Sequence, residues 1–446
     1  MFDLGSIEAL IRLRNTYLLP LKDLSAGIIR STVVSNSYQN NHEEIVYKSY
    51  PLLSNDCFRI AKYANDTLKD YTSALLFSEE ALRLFNERII DYGDIDHGQE
   101  DDGNNYEDSL KFEILNLFAF TLRKKGFYSE ALKVYDEALK LVEETLEMKI
   151  LRDEYQLAFQ KYPEVYRPEN FGYEKKKPKL DEDWKGAETM LAYEALCRGE
   201  HYLTPKNYSL LHCFYLNTSN FDDHYYRLWK IKVEEAGKYP HVVQFHDIIS
   251  DKEIKALKLF SQYRLERALV GASNSKISHI RNSQVAWIHD DEGKIFKQLS
   301  TRIQAITGLD VLNSGEALQI GNYGLGGQYD PHFDHENDDV VEKFKKFGKG
   351  NRIATWMFYL SDIPLGGATI FTASGITVWP RKGSAAFWYN LRSSGHGDPL
   401  TRHAGCPVLI GSKWVSNKWI HTHYQEFRKK CHKKPHQFLF VEEGHH

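Results

Sequence analysis

The chain has 446 residues, 42% hydrophobic and 26% charged, with a formal net charge of −4. That length allows two or three domains, and that charge gives no basis for general nucleic-acid or membrane-surface binding. No apolar run reaches the ~18 residues that a membrane-spanning helix needs.

The stretch from Met1 to Glu8 carries no basic segment followed by an apolar core, so no signal peptide is expected at this terminus. The sequence then reads as either a mature form or a cytosolic protein. Ile7, Leu10, Ile11, Leu13, Tyr17 and Leu18 recur at helical spacing, which predicts helix over residues 6–30. Residues 57–90 and 114–144 read as two copies of one helical hairpin. Tyr71, Ala74 and Ala81 recur as Tyr128, Ala131 and Ala138, a constant offset of 57. A tyrosine followed by small residues where helices cross is the pattern of tetratricopeptide-like repeats, whose period is about 34. The excess is assigned to Asp91–Asp108, which has eight acidic residues and no Lys or Arg, and is expected to be a solvated insertion.

Further along, Glu174-Lys175-Lys176-Lys177-Pro178-Lys179 is a hydrophilic linker. Residues 251–263 and 295–307 are predicted helices. Short strands follow at 317–322, 352–360, 368–371, 376–379, 384–390 and 413–421, a spacing that suggests a sandwich or barrel. The fold class is therefore α+β, with a helical first half and a sheet-rich second half. Asn65, Asn207 and Asn217 head glycosylation sequons. Five cysteines, at 57, 197, 213, 406 and 431, allow more than one pairing or none. The C-terminus, Val441-Glu442-Glu443-Gly444-His445-His446, carries no Lys-Asp-Glu-Leu signal, so retention in a secretory compartment would rest on a partner.

The chemistry concentrates in His332-Phe333-Asp334, His403 and Lys413. On a strand, residues two apart share a face. His332 and Asp334 can thus hold a metal together, with His403 completing the set from a distant strand. Two imidazoles and one carboxylate leave cis positions open, which suits Fe(II); a three-ligand catalytic Zn(II) is the alternative. His335 is expected on the opposite face, as a surface histidine. Lys413 stands in the alternating run Lys413–Ile420, where an ammonium can anchor the far carboxylate of an organic acid.

On these residues the sequence resembles the alpha subunit of collagen prolyl 4-hydroxylases, which are 2-oxoglutarate/Fe(II)-dependent dioxygenases. The resemblance is carried by Tyr323–Asp334, Gly350-Asn351-Arg352-Ile353-Ala354-Thr355-Trp356, Phe387–Leu391 and Thr401–Trp419. It extends upstream through Phe245–Asp251 and Leu196–Glu200 and, more faintly, to residue 10. It implies a double-stranded β-helix (jelly-roll) catalytic domain with flanking helices over 239–435. Before it would come an N-terminal helical remnant of a dimerisation region (1–50), a tetratricopeptide-like peptide-binding domain (51–150) and a disulfide-bearing connector (151–238); a tail (436–446) would follow.

The resemblance also implies roles. His332, Asp334 and His403 would bind Fe(II). Lys413, Tyr323 and Thr369 would bind 2-oxoglutarate. His421 would assist catalysis without binding iron, and Tyr329 and Arg352 would meet the substrate peptide. The reaction would be 4-hydroxylation of proline in X-Pro-Gly segments of procollagen-like chains, with O2, 2-oxoglutarate and L-ascorbate. Protein disulfide isomerase would be the beta subunit, the endoplasmic reticulum lumen the compartment, and Cys197–Cys213 and Cys406–Cys431 the disulfides, with Cys57 free.

Two departures bear on this. Where the family's peptide-binding helix is rich in tyrosine, this chain has Leu117-Phe118-Ala119-Phe120-Thr121-Leu122. Phe118 and Phe120 keep proline stacking but supply no hydroxyl donors. The N-terminal helical segment is also shorter than the family's, which bears on assembly with the isomerase. A proline hydroxylase of a non-collagen secreted substrate and a catalytically idle proline-rich peptide binder are the competing readings. Lysyl hydroxylases place Arg where Lys413 stands, and halogenating relatives leave the position of Asp334 without a ligand.

Overall fold

The structure is a computed structural model and describes residues 4–30, 45–87, 101–142, 145–161, 187–219, 221, 224–268, 281–336, 348–429, 431 and 439. The chain mixes helix and sheet and divides into two compact units, Met1–Lys175 and Lys176–His446. The hydrophilic run Glu174–Lys179 lies outside the described residues.

The first unit runs α1 (Leu4–Tyr17), α2 (Leu21–Ser25), an antiparallel ribbon of β1 (Ile28–Arg30) and β2 (Ile45–Lys48), then α3 (Ser54–Tyr63), α4 (Tyr71–Asn86), α5 (Asp101–Lys124), α6 (Tyr128–Ala138) and α7 (Leu146–Lys161). The helix expected over 6–30 therefore stops short. The β-branched pair Ile28-Ile29 pairs with β2 instead. The repeated positions fall at equivalent places: Tyr71 opens α4 and Tyr128 opens α6. Ala74, Ala81, Ala131 and Ala138 are all fully buried. α4 packs on α3 and α6 on α5, and at those crossings a methyl group lets the backbones approach. The Asp70 carboxylate accepts from the amides of Thr72 and Ser73 and starts α4.

Two expectations change here. Of the acidic stretch, residues 91–100 lie outside the described residues, but Asp101–Asp108 are helical and form the first turns of α5, with Asp108 exposed. Phe118 is a core residue and not a peptide contact. It is 7% exposed and packs with Leu75, Ala119, Leu122, Tyr135 and Tyr155. The helical period places 114, 115, 118, 119 and 122 on one inward stripe and turns Phe120 away from it. The Phe120 ring meets Tyr71 edge-on, with the Arg123 guanidinium and Lys124 ammonium over it.

The second unit opens with α8 (Ala187–Cys197), α9 (Pro205–Tyr208), β3 (Cys213–Tyr215), α10 (His224–Arg227), β4 (Lys232–Lys238) and β5 (His241–His246). It continues through α11 (Asp251–Ser261), β6 (Glu266–Arg267), β7 (Gln284–Ile288), α12 (Lys294–Thr307), β8 (Leu318–Tyr323), β9 (Tyr329–His332), β10 (Arg352–Tyr359) and β11 (Leu365–Gly366). It closes with β12 (Thr369–Phe371), β13 (Ile376–Val378), β14 (Ala385–Tyr389), β15 (His403–Gly405), β16 (Val408–Ile410) and β17 (Lys413–His421).

Nine strands form one sheet in the order β3-β4-β5-β14-β10-β17-β8-β7-β6, and four form a second in the order β13-β12-β15-β9. Helices α11 and α12 cover one face of the large sheet. Ile254 and Leu257 from the first and Leu299, Ile303 and Ile306 from the second pack on Phe245, Trp356, Phe358 and Phe387. Ser250 and Glu253 cap α11 reciprocally, and Gly308, at φ 69°, ends α12 in the left-handed region that glycine adopts freely. On the other face Tyr323, Met357, Tyr359, Trp388 and Val415 pack with Phe371, Ile376, Val378 and Val408. The candidate site lies on this second face.

The disulfide pairing differs from the expected one. Cys197 is bonded to Cys406, with Cα atoms 5.5 Å apart across a sequence separation of 209. Neither Cys197–Cys213 nor Cys406–Cys431 forms; Cys213 and Cys431 are exposed free thiols and Cys57 is a buried one. Helix α8 packs on β9, β12 and β13, which delivers its last residue to Cys406, just beyond β15. Spacing along the chain carries no trace of that tertiary approach. Among the sequon asparagines, Asn207 and Asn217 are exposed and Asn65 is half-buried. The Asn217 side-chain oxygen accepts from both the amide and the hydroxyl of Ser219.

Candidate active site

Register assembles the site. In the small sheet His403 of β15 stands opposite His332 of β9 on one side and opposite Phe371 of β12 on the other. Asp334 lies just past the end of β9 and not within it. The bend there, more than strand alternation, turns its carboxylate back toward the two rings. His332 Nε2 lies 3.8 Å from Asp334 Oδ1, and His403 Nε2 lies 3.5 Å from Asp334 Oδ2. The three donor atoms fall within 4.8 Å of one another.

The orientation of each ring is fixed from behind. His332 Nδ1 donates to the Asp330 carbonyl at 2.8 Å, and His403 Nδ1 donates to the Thr401 carbonyl at 2.9 Å. Each imidazole therefore presents a bare Nε2 lone pair to the centre. Tyr329 stacks on His332 with ring centroids 3.6 Å apart, and Trp388 meets His403 edge-on at 4.8 Å. Burial and the neighbouring His403 hold the His332 imidazole well below its ordinary pKa, so it is neutral. Burial alone would raise the Asp334 carboxyl. His403, His332, the Arg352 guanidinium and the Thr355 hydroxyl outweigh it and keep the carboxylate ionised. Two imidazole nitrogens and one carboxylate are the donor set that a divalent non-haem iron takes.

Lys413 enters from the large sheet, opposite Tyr323 in the β17–β8 register. It is 3% exposed, and burial lowers its pKa to about 7. Its ammonium donates to Thr369 Oγ1 at 3.3 Å and lies 5.8 Å from the Tyr323 ring centroid. Among the described residues it has no carboxylate partner. The metal-ligand candidates, Tyr323, Thr369 and Lys413 line one cavity of about 90 Å³, together with Arg281, Tyr329, Arg352, Thr355, Trp388 and Trp419. Gly405 also lines it, where a Cβ would stand at ordinary van der Waals distance, 3.7 Å from Tyr329 and 3.9 Å from Lys413 Nζ.

A family model described as the 2OG-Fe(II) oxygenase superfamily matches residues 318–421, which span this cavity. The chain is 38% identical over 439 residues to prolyl 4-hydroxylase subunit alpha-1 of Gallus gallus, covering 96% of this chain and 77% of that protein. It belongs to the prolyl 4-hydroxylase alpha-subunit family. The Homo sapiens alpha-1 subunit is 37% identical over 442 residues, with 96% and 75% covered, and the Caenorhabditis elegans alpha-1 subunit is 35% identical over 435 residues, with 96% and 70% covered. A solved viral collagen prolyl hydroxylase from Paramecium Bursaria Chlorella virus-1, in complex with 2OG, is 23% identical, covers 40% of this chain and 94% of that one, and has a TM-score of 0.32. That likeness is too slight to bear on the assignment.

In this alpha-subunit relative, two histidines stand elsewhere than expected. His421 does not line the cavity. Its Nδ1 meets the Gly350 carbonyl at 2.7 Å and its Nε2 meets Glu316 Oε1 at 2.8 Å. It reaches the site through Glu316, which holds Arg352 with contacts of 2.6 and 3.0 Å, and through the β10–β17 register, where it stands opposite Arg352. His335 is not a surface residue either: it is buried, with Gly397 against its ring. Arg281, Thr355 and Trp388 are cavity residues that sequence reasoning missed. Thr355 left a faint signal, a hydroxyl within the otherwise apolar run of β10. Arg281 left none. Its guanidinium reaches Gln319 and lies 4.8 Å above the Tyr329 ring.

Proposed function

We propose that this chain is a procollagen-proline 4-dioxygenase that hydroxylates C4 of proline in X-Pro-Gly segments. Fe(II) is the cofactor, 2-oxoglutarate the cosubstrate and ascorbate the reductant that sustains turnover. One observation supports this above the rest: the His332, Asp334 and His403 donors share a cavity with a buried Lys413 that has no carboxylate of its own among the described residues. The donor set fits Fe(II), and the unmatched ammonium fits a dicarboxylate. When bound, iron supplies the oxygen activation that couples conversion of 2-oxoglutarate to succinate and CO2 with insertion of one oxygen atom at proline C4.

The residues do the rest. His332, Asp334 and His403 hold the metal on one side. Lys413 and Thr369 bind the distal carboxylate of 2-oxoglutarate, with Tyr323 walling that end. The apolar wall of Trp388 and Met357 limits water near the centre. Tyr329 and Arg352 face the peptide. His421 acts at one remove, steadying Glu316 and through it Arg352.

The finer architecture is part of the same reading. The register match of α4 with α6 favours a tetratricopeptide-like substrate domain at 51–150, and two facing sheets favour a double-stranded β-helix at 239–435. In the same reading residues 1–50 belong to a dimerisation region and residues 151–238 to a connector. Phe120, on the outward face of α5, is the aromatic left to meet a proline-rich chain. The buried disulfide and the exposed Asn207 and Asn217 sequons favour the endoplasmic reticulum lumen, with protein disulfide isomerase as the beta subunit. No described helix is long and apolar enough to cross a membrane. Succinate release with iron, ascorbate and a panel of peptides tests the reading. Collagen-type Pro-Gly repeats should drive turnover, and an unrelated proline-rich sequence should not; equal rates on both would reject the procollagen assignment.

A further inference from the structure

Asp334 is held by a chain of side chains that reaches beyond the cavity wall. Thr355 Oγ1 lies 2.7 Å from Asp334 Oδ2, and Asn390 Nδ2 lies 2.9 Å from Thr355 Oγ1. Thr355 is on β10, and Asn390 immediately follows β14, its neighbour in the large sheet. Both are buried, Asn390 completely.

The direction of this chain follows from donor counting. An ionised carboxylate only accepts, so the Thr355 hydroxyl must give its single proton to Asp334. Thr355 then has only lone pairs for Asn390, and the amide must turn its NH2 toward it. The orientation of Asn390 is thus fixed by the charge at the centre. The consequence is visible at the far end: Asn390 Oδ1 is a buried acceptor with no hydrogen-bond partner. Turned over, the amide would set its oxygen against a Thr355 oxygen that has no proton left to give. It keeps its donor on Thr355.

We propose that Asn390 is a positioning residue for the metal centre, acting through Thr355 to lock the rotamer of Asp334. With Oδ2 engaged by Thr355, Oδ1 is the carboxylate oxygen left on the His332 side, 3.8 Å from its Nε2. Removing the amide frees the Thr355 hydroxyl to rotate and donate elsewhere, and the carboxylate loses its fixed orientation before metal arrives. The role rests on the metal reading of His332, Asp334 and His403. It adds a residue that neither touches the metal nor lines the cavity.

Outer partners of metal ligands typically matter by 10–100-fold in affinity. The test is Co(II) binding to the full chain, read from its d–d absorption, without turnover. Wild type, Thr355→Val, Asn390→Ala, the double variant and Thr355→Ser are compared, with circular-dichroism melts as a folding control. The expected result is about tenfold weaker Co(II) binding for Asn390→Ala and for Thr355→Val, with the double variant no weaker than Thr355→Val alone. Thr355→Ser, which keeps the hydroxyl, should bind like wild type and still lose affinity when Asn390→Ala is added. Asn390→Asp, nearly the same size but lacking the donor, guards against a cavity artefact and should lose at least as much as Asn390→Ala. Wild-type Co(II) affinity in a folded Asn390→Ala or Asn390→Asp protein overturns the proposal. So does a double variant whose loss is the product of the two single losses. Failure of wild type to bind Co(II) at all would instead overturn the metal reading beneath it.

Discussion

Lys413 Nζ lies 3.3 Å from Thr369 Oγ1, and that same hydroxyl oxygen accepts from the Tyr359 phenol at 2.9 Å. Lys413 belongs to the large sheet and Thr369 to the small one, so this contact spans the cavity from wall to wall. A buried ammonium whose described partners are neutral is poised for an anion.

That poise predicts a pH dependence. Burial lowers the Lys413 pKa to about 7 in the empty cavity, and a carboxylate bound beside it favours the ammonium and raises the value. Below pH 7 the charge is already present, and 2-oxoglutarate affinity should be flat. As pH rises above that value, binding must take up a proton, and affinity should fall about tenfold per pH unit until the pKa of the complex is reached. Calorimetric titration in buffers of different ionisation enthalpy measures both the affinity and the proton uptake.

Phe118 and Phe120 should separate stability from binding. Phe118→Ala leaves a hole in the cluster around Tyr135 and Tyr155 and should cost ~3–5 kcal/mol of unfolding free energy. Phe120→Ala should cost under about 1 kcal/mol, as surface substitutions do, and should weaken binding of proline-rich peptides instead. Urea denaturation and peptide titration of the two variants make the comparison.

Peptide mapping under non-reducing conditions should recover the Cys197–Cys406 linkage. Closing a loop of 209 residues constrains the unfolded chain by about 5 kcal/mol in the chain-entropy picture, so Cys197→Ala should lower the melting temperature markedly while Cys213→Ala leaves it nearly unchanged.

Glu316 serves two partners, the Arg352 guanidinium and the His421 ring. Burial pushes its carboxyl pKa up, but His421 and Arg352 pull it lower still, to a net value below the ordinary one. Glu316→Ala leaves Arg352 without its anion and should cost roughly 2 kcal/mol. Glu316→Gln, which keeps the shape and an acceptor, should cost less. Thermal melts of the two variants rank them.

Much of this was legible from residue order. The predicted strands at 352–360 and 413–421 and the helices at 251–263 and 295–307 match β10, β17, α11 and α12 within a residue or two. Their apolar patterns are long, and the helices carry local end signals, the Ser250–Glu253 cap that opens α11 and Gly308 that ends α12. The four groups that share the cavity were also singled out, from the spacing of His332 and Asp334 together with the family resemblance around them. What was lost depends on tertiary approach. Strands β9 and β15 are too short for a pattern, yet they bring His332 opposite His403. The disulfide partner of Cys197 is set by where α8 lands. Phe118 and Phe120 are alike in type and differ only in which side of α5 they face. Thr355 and Asn390 read as ordinary strand residues until the fold places them behind Asp334.

The most direct test of the shared cavity is anaerobic titration of the Fe(II)-loaded protein with 2-oxoglutarate, followed by the charge-transfer absorption that appears when the keto acid chelates iron. Wild type should give a saturable band. Lys413→Ala should give the same band at roughly 100-fold higher 2-oxoglutarate, the scale expected when one partner of a buried charge pair is removed, and His332→Ala should give none. An unchanged titration in Lys413→Ala, or a full band in His332→Ala, would contradict the account.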